Sequence, residues 1–148
     1  MAEVISGQLQ CVIVTPEKKV AETPADFVVL TAHDGQIGIL PEHSPLLCRL
    51  APGLLRIDTN SKQDYYFVAG GFAEILDNRI TVLTPESMEA GKMDPKAIEN
   101  ELHQAEELPT VNQADRDKKI RTLERARGKR NTFLEADRKK NQHNGHAV

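Results

Sequence analysis

Pro41 and Pro45 flank His43 at alternate positions inside the stretch DGQIGILPEHSPLLCRLAPGLL, residues 34–55. Proline so spaced forbids a helix and cannot feed a central sheet ladder, so this stretch reads as an exposed turn between short strands. Gly35 and Gly38 precede it in an Ile-Gly-Ile setting, and Pro52-Gly53 closes the Leu-rich segment that follows with a second turn. A chain organised around such a stretch belongs to a β domain.

The flanks agree. Leu9, Cys11 and Ile13 share one face of a period-two strand over Gln8–Thr15. Further strands are expected at Val20–Glu22, Asp26–Ala32, Ile37–Leu40, Leu46–Leu50, Leu54–Asp58, Tyr65–Ala69, Phe72–Leu76 and Arg79–Leu83, with Asp77-Asn78 as a two-residue hairpin turn. Gly70-Gly71 has no polar loop around it and no helix after it. It reads as a bulge or a close backbone approach, not a phosphate cradle. About ten short strands at this spacing argue for an antiparallel β-sandwich.

Beyond residue 88 the pattern changes period. Asp94-Pro95 is an N-cap with proline at the first helical position, and Ile98, Leu102 and Ala105 form one apolar stripe ending near Leu108-Pro109. A second helix, capped by Thr110 or Asn112, is expected to run to about Lys140. Its stripe is thin (Ala114, Ile120, Leu123, Ala126, Phe133, Leu134), and Gly128 at mid-helix costs ~1 kcal/mol relative to Ala. The fold class is thus α+β: a β-sandwich over 1–88, an antiparallel two-helix hairpin over 89–140, and a disordered polar tail over 141–148, where His143 and His146 reflect composition.

Charge divides the chain in the same place. Residues 1–110 hold 8 Lys+Arg against 17 Asp+Glu, a balance of −9, and residues 111–148 hold 11 against 5, a balance of +6. Halves of opposite sign suggest different partners or mutual contact. No apolar run approaches the ~20 residues of a membrane-spanning helix, and MAEVISGQLQ has neither a basic n-region nor an apolar h-region. Cys11 and Cys48 lie in strand-like surroundings without a C-x-x-C pattern and read as free buried thiols. His33, Asp34, His43 and Ser44 are the nearest approach to a catalytic set, but Ser44 precedes a proline on a turn and no nucleophile elbow surrounds it. No carboxylate pair or metal-ligand cluster appears, so neither catalytic residue, cofactor nor metal is expected.

The order of residues says more. G-x-x-G-I-L-P-x-H-x-P-L-L over 35–47, followed by VAGGFAEILDNRITVLTPESMEAGKMD over 68–94, resembles the two signatures of the epsilon-subunit family of bacterial F-type ATP synthase, called delta in mitochondria. The resemblance implies a non-catalytic subunit of the central stalk that couples ring rotation to ATP synthesis. By the same resemblance it would be peripheral on the cytoplasmic face of the bacterial inner membrane, reaching the membrane only through the complex. Implied partners are the gamma subunit, the c-subunit ring and, transiently, the catalytic alpha and beta subunits. Gln36, Glu42, His43 and Pro45 would face the c-ring, while Gly35, Gly38, Pro41, Gly70 and Gly71 set backbone geometry. Arg116, Lys118, Lys119, Arg121, Arg125, Arg127, Lys129 and Arg130 would form the basic helix that in the family leaves the hairpin and inhibits hydrolysis. The alternative is a basic helix folded permanently against the sandwich. Some members bind ATP through an Ile/Leu-Asp-x-x-Arg-Ala motif. Here Asp94 is kept but Ala97 replaces the arginine, so weak or no ATP binding is expected.

The competing reading is a sandwich-plus-hairpin adaptor that uses its basic helix on nucleic acid or another acidic partner. One aromatic in that helix, no Trp in the chain and an acidic sandwich weigh against nucleic acid.

Overall fold

The structure, a computed structural model, describes residues 7–145. Strands β1 (Leu9–Val14), β2 (Lys19–Ala25), β3 (Phe27–Ala32), β4 (Gly35–Ile39), β5 (Leu46–Thr59), β6 (Lys62–Leu76), β7 (Arg79–Leu83) and β8 (Ser87–Glu89) lead through a single 3-10 turn, Ala90–Lys92, to helices α1 (Pro95–Glu106) and α2 (Gln113–Gly145). The strand order is β2-β1-β7-β6-β5-β3-β4, with β8 also on β6. Every pair is antiparallel except β1–β7, which run parallel. The long path between them makes that crossing possible, since parallel neighbours need a crossover rather than a hairpin.

Nine short strands were placed and eight occur: two expected breaks are bends, which merges four of the nine into β5 and β6, and β8 was not expected. β5 and β6 hold one register from Leu46↔Ile75 to Thr59↔Lys62. β7 and β8 continue along β6 in one register as well, from Leu76↔Arg79 to Tyr66↔Glu89, joined by the Ala69 amide donating to the Glu86 carbonyl at 2.9 Å. This three-strand ribbon folds over a single line marked by Pro52, Gly70-Gly71 and Pro85. Pro52-Gly53 is therefore no turn: it sits where β5 shifts register against β3, between the Leu30 and Ala32 pairings, which is where a residue without an N–H fits a strand. Gly70 and Gly71 have φ of 87° and 105°, and a Cβ on Gly71 would overlap the Leu83 carbonyl oxygen. They make the close backbone approach, without a register bulge against β5.

Folding the ribbon over encloses its apolar face. Leu9, Ile13, Val28, Leu30, Ile39, Leu55, Ile57, Ile75, Ile80 and Val82 lie fully buried inside.

The Asp94 carboxylate accepts the Lys96 amide at 3.0 Å and Pro95 opens α1, whose Ile98, Leu102 and Ala105 are buried. Asn112, not Thr110, caps α2, accepting the Asp115 amide at 2.8 Å. The helices pack antiparallel: Lys119 reaches the Glu106 carbonyl at 2.7 Å, and Arg130 lies 3.6 Å from Glu99. α2 continues past Lys140 to Gly145, so residues 141–145 of the expected tail are helical, while 146–148, with His146, lie outside the described residues.

Candidate functional site

α2 crosses the folded line of the ribbon, and Gly128 is the point of contact. A Cβ there would stand 2.9 Å from the Pro52 carbonyl oxygen and 3.1 Å from the Gly53 nitrogen, both backbone atoms with little freedom to yield. One turn on, Thr132 is fully buried and its hydroxyl donates to the Gly128 carbonyl at 2.8 Å. Phe133 packs with Phe67, Met93 and Ile98 in a second small core. The expected stripe is corrected accordingly. Ala126 and Phe133 are covered, but Ala114, Ile120 and Leu134 are exposed, and the seat runs through Gly128, Lys129 and Thr132 instead. The reason is steric: α2 lies on backbone at the bend, which selects small residues rather than apolar ones.

Lys129 sits beside that seat, only 7% exposed. Its ammonium lies 2.9 Å from Glu101 of α1, 3.5 Å from Glu86 of the β7–β8 link and 5.7 Å from the Phe67 ring centroid. Arg125 takes the other Glu86 oxygen. One cluster thus ties α2 to α1 and to the sandwich. The remaining basic residues differ in their engagement. Arg116 donates to Gln113 and to the Thr110 carbonyl, Lys119 to Glu106, and Arg130 pairs weakly with Glu99. Lys118, Arg121 and Arg127 have no carboxylate within ion-pair distance among the described residues.

The structure does not gather the four loop residues. Glu42, with φ of 65°, donates its amide to the Asn78 side chain at 2.6 Å, and Asn78 returns a bond to the Glu42 carboxylate at 2.9 Å. The 40–45 loop is thereby pinned to the Asp77-Asn78 turn. His43 steadies it through Nδ1 against the Ser44 carbonyl at 2.7 Å, and Pro41 and Pro45 bracket the bend. Gln36 lies at the opposite end of β4, paired with Thr31. His33 and Asp34 share that far end, so the sketched Ser/His/Asp set does not assemble. Gly35 takes φ of 129° as β4 leaves the β3–β4 turn, and Gly38 clears the Phe27 ring. Asp94 spends its carboxylate on the α1 cap, and Ala97 is exposed without a charged replacement.

An apolar face was not legible from the strand pattern. Leu47 of β5, Phe72 and Leu76 of β6 and Leu83 of β7 point outward and are 70%, 53%, 45% and 54% exposed. Phe72 pairs directly with Leu83, while Leu47, opposite Glu74, lies diagonal to both Phe72 and Leu76. The four form one cross-strand patch rimmed by Arg49, Glu74 and Arg79. Both parities of Phe72–Leu76 carry apolar residues, which is the trace this face leaves in the sequence. No helix among the described residues is long and apolar enough to cross a membrane, and no three metal-ligating side chains converge there.

The comparisons with known proteins agree with this architecture. Residues 8–90 match the family model of the ATP synthase delta/epsilon chain β-sandwich domain. The chain is 35% identical to the ATP synthase epsilon chain of Rhodopirellula baltica over 120 residues, covering 81% of this chain and 94% of that one. It is 41% identical to the epsilon chain of Desulforamulus reducens over 95 residues, covering 64% and 72%. Among solved structures, a chain of the Euglena gracilis mitochondrial ATP synthase, in an assembly of OSCP, F1 and c-ring, superposes with a TM-score of 0.76 at 23% identity, covering 93% of this chain and 85% of that one. A chain of the Tetrahymena thermophila mitochondrial ATP synthase central stalk and c-ring gives 0.65 at 13% identity, covering 84% and 96%. The chain belongs to the ATP synthase delta/epsilon family.

Proposed function

We propose that the chain couples rotation of a membrane-embedded c-subunit ring to the catalytic head of an F-type ATP synthase, docking on the gamma subunit through the Leu47–Phe72–Leu76–Leu83 face. That face carries the proposal: four large apolar side chains contiguous on the outside of a sandwich mark a surface that a partner covers. The chain would then be peripheral on the cytoplasmic face of the bacterial inner membrane, held there by its partners.

The c-ring contact belongs to one end of β4. Gln36 and Glu42 lie at opposite ends of that strand, so separate Gln36→Cys and Glu42→Cys cross-linking to the ring assigns it.

α2 serves as a conditional brake on hydrolysis. To reach the catalytic subunits it leaves the Pro52 seat and gives up the Glu86 and Glu101 contacts of Lys129, so braking competes with the folded-down state. Co-purification of the tagged chain from bacterial membranes, followed by ATPase assays with and without residues 111–148, tests both parts. Recovery of gamma, alpha and beta supports the stalk role, and faster hydrolysis after truncation supports the brake. Absence of synthase subunits would overturn the first, and unchanged hydrolysis the second.

A further inference from the structure

A cleft of about 1080 Å³ separates α2 from the outer surface of β3 and β5. Six arginines line it against two carboxylates, Glu124 and Glu135. Three of the six are already satisfied: Arg56 by Asp58 at 2.9 Å, Arg138 by Glu135 at 2.7 Å, and Arg125 by Glu86. Arg49 on the sheet wall, and Arg121 and Arg127 on the helix wall, have no ion-pair partner among the described residues, and Glu124 is the only carboxylate of the lining left to balance them. The amides of Gln36 and Asn131 add neutral polar groups. Asp94 and Ala97 do not line this cleft; they lie at the start of α1, outside its walls.

We propose that this cleft binds a compact multivalent oxyanion, held between Arg49 on one wall and Arg121 and Arg127 on the other. Guanidinium groups present two parallel N–H donors to an oxyanion and keep their charge at every physiological pH, so three of them around one space favour a ligand with several negative oxygens. Shape selects a small one. The Gly128–Pro52 contact brings helix and strand backbones together within the cleft, which stops an extended acidic peptide from threading along it. Phosphate and carboxylate share this chemistry, and the test separates them.

The test is calorimetric titration of the full chain at fixed ionic strength with inorganic pyrophosphate and, separately, with citrate. The expected result is saturable one-to-one binding of at least one of them, weakened at least tenfold in the double variant Arg121→Gln, Arg127→Gln and likewise in Arg49→Gln. All three side chains are exposed, so the variants retain the fold. Lys118→Gln, equally exposed on α2 but outside the cleft, leaves binding unchanged. Tighter pyrophosphate assigns a phosphate ligand and tighter citrate a polycarboxylate. Absence of saturable binding by either anion overturns the proposal, as does an equal loss in Lys118→Gln, which would mean diffuse charge attraction.

Discussion

Gly128 of α2 and Pro52 of β5 meet backbone to backbone: a Cβ on the glycine would stand 2.9 Å from the proline carbonyl oxygen. This contact sets the long helix on the bend of the sandwich, and it inverts the meaning of a mid-helix glycine. Read on the sequence, Gly128 weakens α2. In the fold, it lets α2 dock.

Gly128→Ala therefore sets two effects against each other. Alanine improves helix propensity by ~1 kcal/mol. Overpacking against backbone costs about 1–3 kcal/mol. The second should win, with faster amide hydrogen exchange across 125–132 in the full chain even though an isolated α2 peptide becomes more helical. Slower exchange in the full chain would show that the seat yields.

Lys129 and Arg130 are adjacent and should behave differently. Lys129 is nearly buried between Glu86 and Glu101, so Lys129→Ala leaves part-buried carboxylates short of a cation and is expected to cost about 1–3 kcal/mol. Arg130 and Glu99 are each about half exposed or more, and Arg130→Ala should fall within about 1 kcal/mol and vanish in high salt. Denaturant unfolding in low and high salt checks both, and equal costs would refute the assigned burial.

Asn78 carries a turn and a clamp together. Its φ of 63° is left-handed, and its amide ties Glu42 through two bonds. Asn78→Gly removes the clamp but eases the backbone, whereas Asn78→Ala removes the clamp and keeps the strain, which costs roughly 1–2 kcal/mol more for a residue with a Cβ. The expected order of stability is wild type, then Asn78→Gly, then Asn78→Ala. A glycine variant less stable than the alanine one would contradict the turn assignment.

Burial pushes the Cys11 thiol from an ordinary 9.0 up to about 12. The folded value lies above the unfolded one, so the stability it contributes is complete below pH 9 and is lost as pH rises from there toward 12. Cys11→Val should flatten that part of the stability–pH curve by up to about 1.4 kcal/mol per pH unit. Unfolding measured at pH 8 and pH 10 for both chains checks it; identical slopes would contradict it.

Much of the fold was legible because local chemistry announces it. Asp94-Pro95 named the α1 start, Ile98, Leu102 and Ala105 its buried stripe, and Asp77-Asn78 the β6–β7 hairpin. What escaped was long-range. Pro52-Gly53 and Gly70-Gly71 look like chain breaks until the shared register of β5, β6, β7 and β8 shows them aligned on one bend. The seat of α2 escaped for the same reason: what it lies on is backbone from residues some 75 positions earlier, and a helix stripe reports only the polarity of its own side chains. Gln36 and Glu42 look like neighbours along the chain but sit at opposite ends of β4.

On the proposed reading, the outer face of β5, β6 and β7 holds the chain on gamma. The most direct measurement is co-purification of gamma with the double variant Phe72→Glu, Leu83→Glu, alongside wild type. Both side chains are already more than half exposed, so the variant should fold and retain wild-type circular dichroism. Gamma should be recovered with wild type and lost with the folded variant. Full recovery of gamma with the variant would place the contact elsewhere and contradict it.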